Sequence, residues 1–361
     1  MTATTTEALR LEYRPFSVGL ERPLGTAHGT IESRDGFLVR IVEATADGAG
    51  GDPTAGFGEA TPLPGWTESS ADCEAALERA KTSLRTGGPE AALEAVDGQV
   101  AARHGVTLAL ADFQATRTAT PLYRYLGQGP MIARIPVNAT IGDGTPTDTA
   151  ADAARAVRSG FSCCKIKVGA RSVTEDVARV RRVREAVGPD VELRVDANES
   201  WTYDDAASAI ESLADLEVSL LEQPLPAGAL EGHAALRGNG VRIALDEGLL
   251  EHGVDAICHA GAADAVVLKP MALGGVDVAR RVAAWVTELG VAPIVTTTID
   301  AVVARTGAVH LAAAIPDVPA CGVATADLLA EDLGRDPVLL ENGSAVVPQA
   351  KGLGVEGVWQ E

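Results

Sequence analysis

Five ionisable groups recur along the second half of the chain at nearly constant intervals. They are Lys167, Asp196, Glu222, Asp246 and Lys269, separated in turn by 29, 26, 24 and 23 residues. A parallel strand, its crossover helix and the turns between them need about that length. Each group closes a short apolar run: Lys165-Ile166-Lys167, Asp196-Ala197-Asn198, Glu222-Gln223-Pro224, Asp246-Glu247-Gly248 and Lys269-Pro270. Taken singly, each triplet is a turn, a helix cap or a solvated strand end. Taken together they place one charged side chain at the same point of five successive units. If those units form a closed barrel, Asp196, Glu222 and Asp246 converge at the C-terminal mouth, where such folds build their sites. Three adjacent carboxylates repel unless a cation sits among them, and oxygen-only donors favour Mg²⁺ or Mn²⁺ over zinc. Lys167 and Lys269 would then face each other across the metal. Only five lysines occur, at 81, 165, 167, 269 and 351, so three of them fall within this small set.

The elements that must position these groups can be read from periodicity. From about residue 135, short apolar runs alternate with amphipathic stretches. The runs are Ile135–Thr140, Cys163–Val168, Val191–Asp196, Val218–Glu222, Val241–Asp246, Ala265–Lys269, Pro293–Thr298 and Ala320–Ala324. Between them, stretches such as Val173–Val187 and Val276–Leu289 have helical spacing. Eight strands alternating with helices indicate an α/β barrel. The competing arrangement is an open doubly wound sheet, but no Gly-x-Gly-x-x-Gly follows the first strand to support it. The first 130 residues or so differ. Leu11 to Leu20 and Phe37 to Val42 read as strands, and Gly56 to Trp66 as a strand running into a Gly/Pro loop. Residues 68–86 and 89–117 have alanine-rich helical spacing. This is a small antiparallel sheet followed by helices.

Composition narrows the setting. Fifty acidic against 30 basic residues give a formal charge of −20, which repels the phosphates of nucleic acid. Mean hydropathy is +0.11, with no apolar run long enough to span a bilayer. The segment Met1 to Arg14 mixes Thr, Glu and Arg and has no signal-peptide core. A cytoplasmic protein with no membrane partner is expected. The five cysteines show no C-x-x-C pair, and the adjacent Cys163 and Cys164 read as small buried side chains.

The ordered set of lysines and carboxylates resembles the enolase superfamily and, within it, the muconate-lactonizing-enzyme subgroup. That subgroup carries a Lys-x-Lys on the second barrel strand and a lone lysine on the sixth. The resemblance spans nearly the whole chain. It implies a modified TIM barrel of the (β/α)7β type with an N-terminal α+β capping domain. Residues 1–130 would form the cap, 131–335 the barrel, and 336–361 a tail returning to the cap. It also implies roles. Asp196, Glu222 and Asp246 match Mg²⁺ ligands, with Mn²⁺ able to substitute, and Asn198 and Glu247 would orient those ligands from behind. Lys167 matches the base that takes a proton alpha to a substrate carboxylate, and Lys269 the opposite lysine. Lys165 would favour the neutral amine of Lys167 by its positive charge.

A narrower resemblance is to the o-succinylbenzoate synthases of menaquinone biosynthesis. It rests on Leu268-Lys269-Pro270-Met271 with Leu273-Gly274-Gly275, on Arg194 before Asp196, on Gly322 to Leu329, and on the cap stretch Gly58 to Pro64. The chain departs from some synthases at Thr296-Thr297-Thr298 with Ile299-Asp300, and at Asp246-Glu247-Gly248, where a Ser often closes the triplet. Arg194, Thr297, Thr298, His28 and Trp66 are the candidates for substrate contact. The last two lie on cap loops expected to close the mouth.

The implied reaction is dehydration of 2-succinyl-6-hydroxy-2,4-cyclohexadiene-1-carboxylate through an enediolate. N-acylamino acid racemases, dipeptide epimerases and cycloisomerases share the machinery and stay open, as does a barrel that binds metal and ligand without turnover. In each case the partner is a small carboxylate. A homo-oligomer is left open.

The acidic, lysine-poor composition also resembles adaptation to high salt. If so, screening relieves self-repulsion, and the melting temperature should rise between roughly 0.1 and 1 M KCl, where the Debye length falls from about 10 to 3 Å. A flat or falling melting curve would refute salt adaptation.

Overall fold

The computed structural model describes residues 9–26, 29–43, 54–127 and 129–359. His28 lies outside them. The chain opens with three antiparallel strands, β1 (Leu9–Thr26), β2 (Gly29–Glu43) and β3 (Ala55–Ala60), in the order β1-β2-β3. Alternation along β2 explains how this sheet is covered on both faces. Phe37, Val39 and Ile41 pack with Leu11 under two helices, α1 (Ser70–Ala95) and α2 (Val100–Arg117). Leu38 points the other way, into a cluster with Leu108, Val302, Leu353 and Val358. Helix α2 lies backbone to backbone on β3. A Cβ at Gly58 would stand 1.9 Å from the Gly105 carbonyl oxygen, so only glycine fits. A short helix α3 (Leu122–Gly127) completes this part.

The barrel follows. After β4 (Arg134–Pro136) come β5 (Ala139–Ile141), α4 (Pro146–Arg158), β6 (Cys163–Lys167), α5 (Val173–Val187), β7 (Glu192–Asp196), α6 (Tyr203–Asp215) and β8 (Val218–Glu222). Next are α7 (Leu230–Leu236), β9 (Arg242–Leu245), α8 (Glu247–Ala260), β10 (Ala265–Leu268), α9 (Pro270–Leu273), α10 (Val276–Glu288), β11 (Ala292–Val295) and α11 (Val302–Ala313). Strands β5 to β11 form one parallel sheet in chain order. Two parallel bridges close the ring, Thr296 to Gly322 on one side and Val137 to Cys321 on the other. The fold is thus a modified (β/α) barrel under an antiparallel cap, as the family resemblance implies, and the open doubly wound sheet is excluded.

Three expectations need correction. The run Ile135–Thr140 is two strands: β4 leaves the barrel to pair antiparallel with β13 (Ser344–Val346), itself paired with β12 (Leu340–Glu341). Ala320–Ala324 is a pair of bridges rather than a full strand. The helix boundaries at 86 and 89 fall inside α1, which kinks at Gly88 (φ 79°) ahead of Pro89 and continues to Ala95. The last described residues pack on the antiparallel sheet and α2. Leu353 N–H donates to Asp112 Oδ1 at 2.6 Å, Arg14 Nη2 donates to the Val358 carbonyl at 2.6 Å, and Trp359 lies under the guanidinium of Arg40 at 4.5 Å. Cys163 and Cys164 are both buried, and no helix among the described residues is long and apolar enough to cross a membrane.

The helices start in two ways. Helices α1, α4, α5 and α6 are capped from within, by Ser69, Thr145, Ser172 and Thr202. Helices α2, α8 and α11 have no side-chain cap of their own. Glu68 accepts the N–H groups of Ala101 and Ala102, at 3.0 and 2.9 Å, for α2. For α11 the cap comes from the other part of the molecule. Glu59 on β3, fully buried, accepts Ala301 N–H and Ala304 N–H at 2.9 Å each and the Thr61 hydroxyl at 2.7 Å. Asp332 takes Val302 N–H at 2.7 Å.

Burial, with the charge of Asp300 adding to it, pushes the Glu59 carboxyl up to about 7, although those three donors hold it back. Between the ordinary carboxylate range and that value, the folded chain keeps a proton that the unfolded chain has lost. Stability therefore falls as pH rises through that window. Glu59→Gln should remove this part of the slope, a difference of at most about 3 kcal/mol between urea unfolding at about pH 5 and about pH 8. Glu59→Ala should cost about 2–4 kcal/mol throughout, because two buried N–H groups lose their acceptor. Parallel pH curves for wild type and Glu59→Gln would contradict the assignment.

Candidate active site

Strand register brings the expected residues together. Lys167 pairs with Asp196, and Asp196 with Glu222, across β6, β7 and β8. Glu222 pairs with Ala244, two residues short of Asp246, just past the end of β9. Lys269 immediately follows β10. Alternation sends Lys165, Lys167, Asp196 and Glu222 to the same side of the sheet.

The side chains form two hydrogen-bonded groups, one around Lys165, Lys167, Asp196 and Glu222 and the other of Lys269 with Asp246. Lys165 Nζ donates to Asp196 Oδ2 at 3.0 Å and to Glu222 Oε1 at 2.8 Å. Lys167 Nζ donates to the same Asp196 oxygen at 2.7 Å and to Asn198 Oδ1 at 2.6 Å. Lys269 Nζ donates to Asp246 Oδ2 at 2.6 Å. Asn198 also donates its backbone N–H to Asp196 Oδ1 at 3.1 Å and its amide to Glu247 Oε1 at 3.2 Å.

The three carboxylates are at most 4% exposed and have different environments. For Asp196, burial is the largest influence and acts upward. The ammoniums of Lys165 and Lys167 together outweigh it and hold the acid well below its usual range. Burial and the neighbouring Asp196 charge push Glu222 up to about 7, against the pull of Lys165. Burial raises Asp246 to about 6 against the pull of Lys269. Burial alone would lower Lys165, but Asp196 and Glu222 hold it firmly protonated.

Whether these residues suit a metal turns on donors and spacing. Among the described residues no three His, Cys, Asp or Glu side chains are gathered as a ready metal centre, and the Lys165 ammonium stands between Asp196 and Glu222. The donors themselves are all oxygen, which suits a hard divalent cation. Two of the three carboxyls are raised by burial that the nearby ammoniums only partly offset, and Glu247 Oε2 is buried with no hydrogen-bond partner. The chemistry of the set therefore fits a Mg²⁺-type ion, and gathering it needs the side chains to move.

Other expected contacts land differently. Thr297 Oγ1 lies 3.0 Å from Thr325 Oγ1, and the Thr298 hydroxyl bonds Asp300, so both loops are tied at the barrel rim. Trp66 reaches Lys269, whose Nζ lies 3.4 Å from its ring centroid. Arg194 is not at the mouth. It is buried two residues below Asp196 on the same side of β7, paired with Glu192 at 2.9 Å and donating to the Ala320 carbonyl at 2.8 Å. Its guanidinium is committed to the barrel floor, so the expected substrate contact is withdrawn.

Two residues escaped the sequence reading. Arg34, 2% exposed, donates to the carbonyls of Thr61 (3.0 Å), Pro62 (3.3 Å) and Ile299 (3.2 Å), stitching a cap loop to the loop after β11. Gln223, fully buried, accepts the N–H groups of Asp246 and Gly248 at 3.0 Å each. It thereby caps α8 from the preceding unit. Asp246, at the N-cap position, makes no cap bond of its own and points its carboxylate at Lys269. The Glu-Gln-Pro triplet was the available signal for Gln223, whereas Arg34 had none. Asn198, Glu199, Gln223 and Ile299 also have positive φ, from 39° to 67°. Left-handed backbone in non-glycine residues is costly and clusters where sites are built.

A parallel barrel with acid–base groups and buried carboxylates at its C-terminal mouth, under an α+β cap, defines a class of enzyme scaffold. Within that class the chain belongs to the enolase superfamily: residues 148–360 match the family described as Enolase C-terminal domain-like. It is 28% identical to the L-Ala-D/L-Glu epimerase of Bacillus subtilis over 97% of this chain and 96% of that protein. The substrate-liganded structure of that epimerase superposes with a TM-score of 0.86 and 29% identity, covering 97% of this chain and 99% of the other. The hydrophobic dipeptide epimerase of Enterococcus faecalis is 31% identical over 84% of this chain and 86% of its own length. The dipeptide epimerase structure from that organism, complexed with Mg and the dipeptide L-Leu-L-Tyr, gives a TM-score of 0.83 at 28% identity, over 96% of this chain and 98% of the other. The o-succinylbenzoate synthase of Thermobifida fusca is 40% identical over a shorter stretch, 59% of this chain and 67% of that protein. The chain is an enzyme of this superfamily.

Gln223→Leu keeps the volume and removes the acceptor. It should destabilise the protein by about 2–4 kcal/mol in urea unfolding, since two buried N–H groups lose their partner. A loss under about 1 kcal/mol would mean that these amides find other acceptors.

Proposed function

We propose that the protein removes the proton alpha to a substrate carboxylate with Mg²⁺ bound by Asp196, Glu222 and Asp246, and that its reaction is the o-succinylbenzoate synthase dehydration. One observation carries the acid–base part. Lys167 ends β6 and Lys269 follows β10, four strands further round the ring, so the two lysines flank the carboxylates from opposite sides. Mg²⁺ bound there would lower the cost of the negative charge that develops on the substrate carboxylate. Magnesium is present in the solved dipeptide epimerase complex from Enterococcus faecalis, and Mn²⁺ should substitute.

The chain's own residues do the rest. The amine of Lys167 takes the alpha proton and returns it to the departing hydroxyl. The C–H and C–O bonds both break, water leaves and the ring becomes aromatic. Both transfers occur on one face, so one lysine suffices. Lys269 presents its ammonium from the other side, paired with Asp246 and resting on Trp66. That placement supports a charge-stabilising role for Lys269. Asn198 orients Lys167, and the ammonium of Lys165 stays between Asp196 and Glu222.

A second reading is epimerisation of a dipeptide or N-acylamino acid, in which Lys269 serves as a base on the opposite face. Similarity to epimerases over nearly the full length of the chain favours it.

Chelation by EDTA should abolish turnover, and Mg²⁺ or Mn²⁺ should restore it. Lys167→Ala should lower the dehydration rate by about 10³-fold or more, while Lys269→Arg keeps measurable activity. In D₂O the wild type should put little deuterium into either enantiomer of an N-succinyl amino acid or dipeptide. Rapid exchange from both, with Lys167→Ala and Lys269→Ala each blocking a different one, would replace the synthase by the epimerase. Full activity in metal-free buffer would sink both.

A further inference from the structure

One face of the Trp66 ring is taken by Lys269, whose Nζ lies 3.4 Å from the ring centroid. Trp66 belongs to the cap and Lys269 to the barrel, so this contact crosses the seam between them. The loop that carries Trp66 is fixed along its length. The Leu63 carbonyl accepts the N–H groups of Trp66 and Thr67 at 3.0 Å, and Leu63 N–H donates to Thr67 Oγ1 at 2.8 Å. Downstream, Glu68 is anchored on the first turn of α2. Upstream, Arg34 grips the Thr61 and Pro62 carbonyls, and Thr61 N–H reaches Met271 Sδ at 3.5 Å, two residues past Lys269. Loop and lysine therefore share one frame. A lysine has a long flexible stem, and fixing its rotamer has an entropic cost that a rigid partner offsets. A cation held over an indole face is such a partner.

We propose that Trp66 is a positioning residue for Lys269: its ring holds the ammonium at the mouth opposite Lys167, so the second cationic group is complete only when the cap is seated. This rests on the proton-transfer reading above and assigns Trp66 a task distinct from stacking on substrate.

Two measurements test it. The first needs no turnover. Protein labelled with fluorotryptophan gives signals for Trp66, Trp201, Trp285 and Trp359, and Trp66→Phe identifies the first. Lys269→Met should move the Trp66 fluorine resonance and leave the other three in place. An unmoved Trp66 signal overturns the proposal. The second is kinetic, on whichever carboxylate the enzyme turns over. Trp66→Leu should lower kcat about tenfold with KM changed by less than about twofold, while Trp66→Phe, which keeps an aromatic face, should stay within about threefold of wild type. A rise in KM with kcat unchanged makes Trp66 a substrate wall and overturns the proposal. If the wild type moves no alpha proton from any carboxylate, the functional reading fails, and the fluorine shift still decides whether Trp66 holds Lys269.

Discussion

Three carboxylates buried at one barrel mouth cannot stay charged without positive charge among them, and the arrangement of the surrounding residues follows from that requirement. Lys165 bridges Asp196 and Glu222, Lys167 shares Asp196, and Lys269 holds Asp246. The balance is uneven. Asp196, with two ammoniums, is held low, whereas Glu222 and Asp246 are pushed up by burial. Breaking one partner of such a cluster costs far more than an exposed pair is worth, because the remaining charge is stranded away from water. Three of the chain's five lysines are spent here, in a protein whose surface otherwise avoids them.

A side chain at a strand end can serve the helix that follows or the mouth above it, but not both. Asp246 occupies the N-cap position of α8, where an aspartate ordinarily bonds the helix amides. It faces Lys269 instead, and Gln223 from the preceding unit caps the helix. At α11 the N-cap residue is Ala301, and Glu59 and Asp332 supply the acceptors. Moving the caps to remote residues frees the strand ends for chemistry. Positive φ at Asn198, Gln223 and Ile299 belongs to the same economy of short turns at the rim.

This division explains what could be read from the sequence. The helix expected at Val173–Val187 matches α5 end to end, and its capping box, Ser172 with Glu175, is local. The strand Val218–Glu222 matches β8 for a similar reason: an apolar run bounded by a turn and a charged end. The start of α2 was missed because its cap, Glu68, lies more than thirty residues away and because α1 continues through Gly88-Pro89. The chemical residues on β6 to β10 were legible because charge at the end of an apolar run stands out. Arg34 and Glu59 were not, since each acts through partners far along the chain. Arg194 misled because its place beside Asp196 in sequence suggests the mouth, whereas its side chain lies one layer lower, on Glu192.

Glu59 ties two parts of the chain by something stricter than apolar contact. Apolar surfaces tolerate exchange of one hydrophobic partner for another, but the amides of Ala301 and Ala304 need an oxygen acceptor at that depth. A cap lacking an acceptor at that point of its third strand would leave two amides of this barrel unpaired, at a cost of about 2–4 kcal/mol. Sequence drift at Glu59 is thus answerable to the barrel helix whose first amides it holds.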